Sequence, residues 1–210
     1  IKNFLRYYDA IPVDGILADL GISSYQINEA ERGFSIRFEA ELDMRMNRES
    51  KVTAADILNQ YSEEKLLKIF SQYGEVHNSK TLAKKIVEVR KETKLTHIDQ
   101  FKEAIRSIAD KQAESQYYAK VFQALRIEVN EELESLKEML LETANVLAPQ
   151  GRLVVLSYHS LEDRLVKNII AKGQFEGEVE KDVFGNQKNN PFKAVNRKPI
   201  EATEEEVKRN

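Results

Sequence analysis

Two short apolar runs, separated by a long helical stretch, limit what this chain can become. Val13 to Leu17 follows Pro12 and leads into an Asp/Gly/Ser turn. Arg152 to Ser157 holds Leu153-Val-Val-Leu156 and follows Pro149-Gln-Gly151. Apolar runs of this length between turn signals suit buried strands. A long amphipathic helix is predicted over Ala119–Leu147, with Phe122, Leu125, Val129, Leu133, Leu136, Leu140 and Ala144 at helical spacing. A helix, a glycine turn and an apolar strand in that order belong to a doubly wound α/β layer. Pro199–Thr203 offers a last edge strand, and Thr203 with Glu206 a capping box for a terminal helix.

From Thr53 to about Gln112 the pattern is helical without a strand. Thr53 and Asp56 are spaced as a capping box. Ser62 caps a second helix, and Glu63 and Glu64 favour its positive end. A third helix is expected over Ser79–Lys91 and a fourth from Thr96, with Ile98, Phe101, Ile105 and Ile108 along one side. Four short helices in series read as a compact subdomain inserted into something else. The expected division is therefore 1–48 and 114–210 for the α/β domain, with 49–113 as a helical insert. Between Val76 and Ala113 nine Lys/Arg stand against five acids, although the whole chain carries a net charge of −3. That segment is either a phosphate-contacting face or a solvated helix surface. Residues 28–35 and 42–46 show no clean period and are left without an assigned element.

The chemistry gathers where the strands end. The first strand ends at Asp19, followed by Gly21, Ser23 and Ser24. In open α/β sheets, ligands bind beyond the carboxyl ends of parallel strands. The second strand runs into Tyr158, His159, Ser160 and Asp163. Each cluster also has a plain structural reading: an Asp/Ser turn for the first, and a Ser160–Asp163 helix cap for the second. If both face one crevice, they make a site. Residues 172–198, rich in glycine and asparagine, read as a loop that Val183, Phe184 and Phe192 could pin.

Composition removes several classes. The longest purely apolar runs are only a few residues, which is too short for a bilayer span. There is no cysteine, so neither a disulfide nor a thiolate metal site can form, in keeping with a cytosolic chain. His77, His97 and His159 lack ligand spacing, and no metal site is expected.

Six strings then occur together and in order: DGILADLGISS from Asp14, ERGFS from Glu31, LDMRM from Leu42, YGE from Tyr73, FQALRI with Val129-Asn130 from Phe122, and HSLEDR from His159. This set resembles the bacterial 16S ribosomal RNA (cytosine-N4) methyltransferase family of the MraW or RsmH type. The resemblance implies an α/β fold, a Rossmann-like S-adenosylmethionine-dependent methyltransferase domain with an inserted all-helical subdomain. It implies S-adenosyl-L-methionine as cofactor, 16S rRNA or the small ribosomal subunit as partner, and a cytoplasmic setting; a homodimer is compatible with it. Carried over residue by residue, it puts Asp19 and Gln26 against the cofactor. Gly21, Ser23, Ser24, Phe34, Tyr158, His159, Ser160 and Asp163 become candidate lining. Phe34 or Tyr158 is a candidate stacking ring for an extruded base, and Arg45, Lys84, Lys85 and Arg90 are candidate RNA contacts. No residue is assigned as the proton acceptor.

The departures are informative. The family's glycine-rich cofactor loop and basic C-terminal tail are not in this sequence, and its His-Pro-Ala segment reads Ser115-Gln-Tyr-Tyr-Ala119 here. The chain is expected to be a fragment, inactive alone. The rival readings are an RNA- or protein-binding module without catalysis, and a nicotinamide-dependent enzyme. The second needs a Gly-x-Gly-x-x-Gly turn, which is missing.

Overall fold

The computed structural model describes residues 1–177, 190–196 and 198–209. In chain order the elements are α1 (Lys2–Tyr7), β1 (Val13–Asp19), α2 (Ser24–Asn28), α3 (Ala54–Gln60), α4 (Glu63–Gln72), α5 (Ser79–Val89), α6 (Ile98–Ile105), α7 (Glu114–Asn130), α8 (Glu132–Val146), β2 (Leu147–Leu156), α9 (Ser160–Lys172) and α10 (Glu204–Arg209). The fold is mixed α/β. It divides into two compact units, one of 1–19 with 137–210 and one of 20–136, the second boundary falling inside α8. No helix among the described residues is long and apolar enough to cross a membrane.

In the first unit, β1 and β2 pair in parallel, with Ile16 opposite Leu153 and Asp19 opposite Leu156. The register is interrupted near the start, where Val13 pairs with Leu147 but Gly15 with Arg152. The extra residues of β2 are absorbed by a bulge at Pro149–Gly151, with Gln150 at φ 71°. A Cβ on Gly151 would stand 2.9 Å from the Ala148 carbonyl and 3.1 Å from that of Asp14, so only glycine fits. The Pro149–Gly151 turn, expected to end a helix, therefore lies within the strand. The strands are not buried on both faces as their runs predict. Ile16, Ala18, Leu153 and Val155 are half-buried on one face, while Leu17 is 70% and Val154 52% exposed on the other. A parallel sheet reads as wholly buried only where layers cover both faces. The expected Pro199–Thr203 strand does not form. Pro199 cannot donate to a ladder, and Ile200 is 90% exposed. Thr203 and Glu206 do close the terminal capping box, through three bonds of 2.7–3.3 Å. Phe192 donates its N–H to Asn190 at 3.0 Å; Val183 and Phe184 lie outside the described residues.

The second unit is helical around one core. Ile57, Leu58, Leu66, Phe70, Leu82, Ile86, Phe101 and Ile105 are essentially inaccessible. Thr53 and Asp56 form the predicted capping box, and Ser62 accepts from Lys65 N–H as the predicted cap. The compact unit is wider than 49–113, because Phe34, Leu42, Met44 and the inner face of α7 share its core. The single long helix expected over 119–147 is two helices. Glu131 turns left-handed at φ 49° between α7 and α8. Asn130, the last residue of α7, explains the break. Its amide nitrogen donates to the Met44 carbonyl and the Arg126 carbonyl, both at 2.8 Å, and its oxygen accepts from Met46 N–H at 2.6 Å.

Candidate functional site

In the first unit, the register of the parallel pair decides what meets at the strand ends. Asp19 and Leu156 are partners, so their side chains leave the sheet on the same face. Tyr158, two residues past Leu156, reaches back over that face and donates its hydroxyl to Asp19 Oδ1 at 2.7 Å. The hydrogen bond to Asp19, followed by loss of solvent and the negative charges of Asp19 and Glu162, pushes the phenol above its ordinary range. Tyr158 is 67% exposed, which leaves its ring open. Asp19 Oδ2 has no protein partner among the described residues.

His159 is the N-cap residue of α9, without a side-chain capping bond, and Ser160 is the first residue inside the helix. The N-cap position expected at Ser160 is therefore held by His159. The work falls to Glu162, which is 3% exposed. Its Oε2 accepts from Tyr158 N–H at 2.8 Å, tying the strand exit to the first helical turn. Glu162 Oε1 lies 3.3 Å from His159 Nε2. The approach is near enough for an ion pair if the ring protonates, but it is not aligned as a hydrogen bond, and both ring nitrogens are buried without one. Sequence reading passed over Glu162 because acids in a first helical turn are usually exposed and serve the dipole.

The residues after Asp19 belong to the second unit. Gly21 adopts φ 85°, a conformation that favours glycine. Ser23 and Gln26 form a capping box at the start of α2. Gln26 Oε1 accepts from Ser23 N–H at 2.8 Å and from Ser23 Oγ at 3.1 Å. The amide NH2 of Gln26 is what remains for a ligand, and Ser24 is exposed. Phe34 does not present a stacking face. It is 9% exposed, belongs to the helical core and has the Arg32 guanidinium 5.7 Å from its ring centre. Gly33, left-handed at φ 70°, makes the turn that sends it inward, and a Cβ there would stand 2.4 Å from the Glu41 carbonyl.

The RNA candidates differ in availability. Arg45 has four of its five donors engaged: two on Asp43 at 2.6 and 2.9 Å, and two on the Arg48 and Ser50 carbonyls at 3.1 and 2.6 Å. Burial raises the Asp43 carboxyl, but the hydrogen bonds and charge of Arg45 outweigh it and hold the group below its ordinary 3.8. Arg90 gives one N–H to the Leu58 carbonyl at 2.8 Å. Lys84 is exposed, with Glu88 at 3.9 Å, and Lys85 is half-exposed. The structure also knits three of the sequence strings into one knot. Arg32 donates to the carbonyls of Arg45 and Met46 at 2.8 and 3.0 Å, and Asn130 grips the same loop from α7. A loop without period hides such a knot, since its order comes from side-chain to backbone bonds.

An S-adenosylmethionine-type ligand carries hydroxyl and ammonium donors. A carboxylate oxygen open at the end of a parallel strand, as in Asp19, suits such donors. A model of the MraW methylase family matches residues 1–210. The chain is 54% identical, over 210 residues, to the ribosomal RNA small subunit methyltransferase H of Phocaeicola vulgatus, covering all of this chain and 69% of that protein. The proteins of the same name from Bacteroides thetaiotaomicron and Cytophaga hutchinsonii are each 53% identical over 210 residues, with 69% and 70% of their lengths covered.

Proposed function

Since the chain belongs to the MraW methylase family, we propose that it acts in S-adenosylmethionine-dependent methylation of small-subunit ribosomal RNA, at the N4 amine of a cytosine in the decoding region of 16S rRNA. The observation that carries this reading is the meeting of both strand ends, where Tyr158 hydroxyl bonds Asp19 Oδ1 at 2.7 Å. Asp19 and Gln26 are the residues assigned to hold the methyl donor. When bound, that donor supplies an electrophilic methyl carbon on a sulfonium.

The rest falls to the chain. The N4 amine is a poor nucleophile because its lone pair is delocalised into the ring, and an acceptor held against its N–H localises that pair. Such transfer depends mainly on in-line positioning. Tyr158 fixes one oxygen of Asp19, so the carboxylate offers its other oxygen in a set direction. The open ring of Tyr158 is the stacking surface for an extruded base. Glu162 accepts the Tyr158 N–H, which fixes where the ring leaves the strand. Lys84, Lys85 and Arg90 supply phosphate contacts along α5 and its end, a sequence-independent term that weakens with salt.

The test is transfer of a labelled methyl group to small ribosomal subunits by the full-length protein, followed by nucleoside analysis. N4-methylcytosine is the expected product, lost with Asp19→Ala. A different methylated nucleoside, or an unchanged rate in Asp19→Ala, would overturn the reading. Binding of the RNA with no transfer under any condition would favour the non-catalytic module.

A further inference from the structure

The helical unit carries a groove of about 500 Å³ that none of this uses, lined by Ile36, Arg37, Asp99, Lys102, Arg106 and Tyr118 among others. That volume falls in the roughly 300–1,000 Å³ range of small-ligand sites. Asp99, Lys102 and Arg106 lie three and four residues apart, on one side of α6 and the turn that follows it. Tyr118 of α7 and residues 36–37 complete the lining from outside α6.

Lys102 is the informative group. The residue is half-buried, and its ammonium donates to the Ile36 carbonyl at 3.1 Å and sits 5.5 Å from the centre of the Tyr118 ring. No carboxylate lies within ion-pair distance of it among the described residues. A half-buried cation satisfied only by a neutral carbonyl and a ring face keeps most of its charge for a third party. The other charges sort in a definite way. Arg106 is matched by Glu103 at 3.4 Å and Glu114 at 3.9 Å, and Glu114 also accepts the Tyr118 hydroxyl at 2.7 Å. Three groups have no ion-pair partner among the described residues: the Lys102 ammonium, the exposed Arg37 guanidinium and the Asp99 carboxylate. Two cations for an anion and one acceptor for a donor describe a ligand that is anionic at one end and bears N–H groups at the other.

Resting on the reading of the protein as an rRNA methyltransferase, we propose that this groove holds one unpaired nucleotide of the RNA substrate. Its phosphate lies on Arg37 and Lys102. The amino-bearing edge of its base faces Asp99. Single-stranded RNA is read in this way, by splayed bases bonded on their edges, and a carboxylate accepts from base amino groups. Uracil, with no exocyclic amine, is disfavoured.

The test uses the full-length protein and a fluorescein-labelled single-stranded 16S fragment, with anisotropy titrations across a range of potassium chloride. Arg37→Glu alters an exposed side chain with no internal partner, so the fold is retained, which circular dichroism and unchanged methyl-donor binding verify. It is expected to weaken RNA binding about tenfold and to lower the log–log salt slope by about 0.7, the share of one phosphate contact on a single strand. Asp99→Asn is expected to erase the wild-type preference for the fragment over versions with single uridine replacements. Unchanged affinity and slope in Arg37→Glu would overturn the assignment. So would a loss confined to the intact ribosomal subunit with naked RNA bound as before, since that marks a ribosomal protein as the occupant. Wild-type protein that binds the fragment yet methylates nothing would sink the methyltransferase reading and leave the groove standing.

Discussion

Asn130 at the end of α7 is the single side chain whose removal tests how the helical unit is held together. Its carboxamide supplies two donors and one acceptor over 2.6–2.8 Å, to the carbonyls of Met44 and Arg126 and the N–H of Met46. The Arg126 carbonyl already lies within α7, so its loss matters least. The Met44 and Met46 groups belong to a loop with no ladder of its own, and Met44 is fully buried. Stripping a partner from a buried backbone group costs about 1–3 kcal/mol. With some hydration at the loop edge, Asn130→Ala is expected to destabilise the unit by about 2–4 kcal/mol in total. At a urea dependence of about 2 kcal/mol/M, the midpoint drops by about 1–2 M with unchanged slope. Asn130→Asp should lose at least as much, since its carboxylate would face two carbonyl oxygens. Arg32→Ala removes the other grip on the loop, and its effect should combine non-additively with that of Asn130→Ala, because both act on the same backbone. Urea titrations followed by far-ultraviolet circular dichroism measure all of these. An Asn130→Ala midpoint within about 0.2 M of wild type would show that the loop keeps its shape without the clamp.

Three further outcomes follow from the geometry. Gly33→Ala should destabilise the helical unit more than an ordinary glycine replacement, because φ is 70° and the new Cβ would meet the Glu41 carbonyl at 2.4 Å and Asp43 N at 3.0 Å; a thermal midpoint equal to wild type would contradict this. The Asp43–Arg45 pair holds the Asp43 carboxyl below its ordinary 3.8, so its stabilisation is present above that pH and is lost as pH falls through the lower folded value. Asp43→Asn should therefore flatten the acid limb of the stability–pH curve, and a limb as steep as wild type would refute the assignment. Tyr158→Phe removes the phenol from Asp19 Oδ1 and keeps the ring; it should weaken methyl-donor binding while leaving RNA affinity intact, and unchanged methyl-donor affinity would show that the hydroxyl does nothing for Asp19.

What was legible in the sequence is the part governed by local rules. Capping residues and helical spacing predicted α3 to α6 to within a few residues, because both are set by neighbours three and four positions away. The two strands and the polar residues at their ends were legible for a similar reason, since a short apolar run closed by a turn allows few alternatives. Three features escaped: one depends on partners distant in the chain, and the other two on side-chain contacts within a few residues that no period announces. The break between α7 and α8 is dictated by a loop more than eighty residues earlier, which occupies the Asn130 side chain. Glu162 has no assignment in the sequence, and its part comes from the Tyr158 backbone N–H that it accepts. Arg45 looked like a free cation until Asp43 and two carbonyls were found around it.

The same contrast separates two kinds of charged residue in this protein, and it bears on where the RNA is met. Arg32 and Arg45 are fastened by several short bonds to loop carbonyls or to Asp43, and moving them would cost the loop its shape. Lys84, Arg37 and Lys102 hold no short bond to a carboxylate. A cation already bonded to a buried partner must give up that bond to reach a phosphate, whereas an unmatched one gains on contact. Free cations therefore point to the ligand more reliably than basic composition does. By that measure, the arginine of the Leu42–Met46 string shapes the loop, and the cations left available to a phosphate lie on α5 and in the groove beside α6.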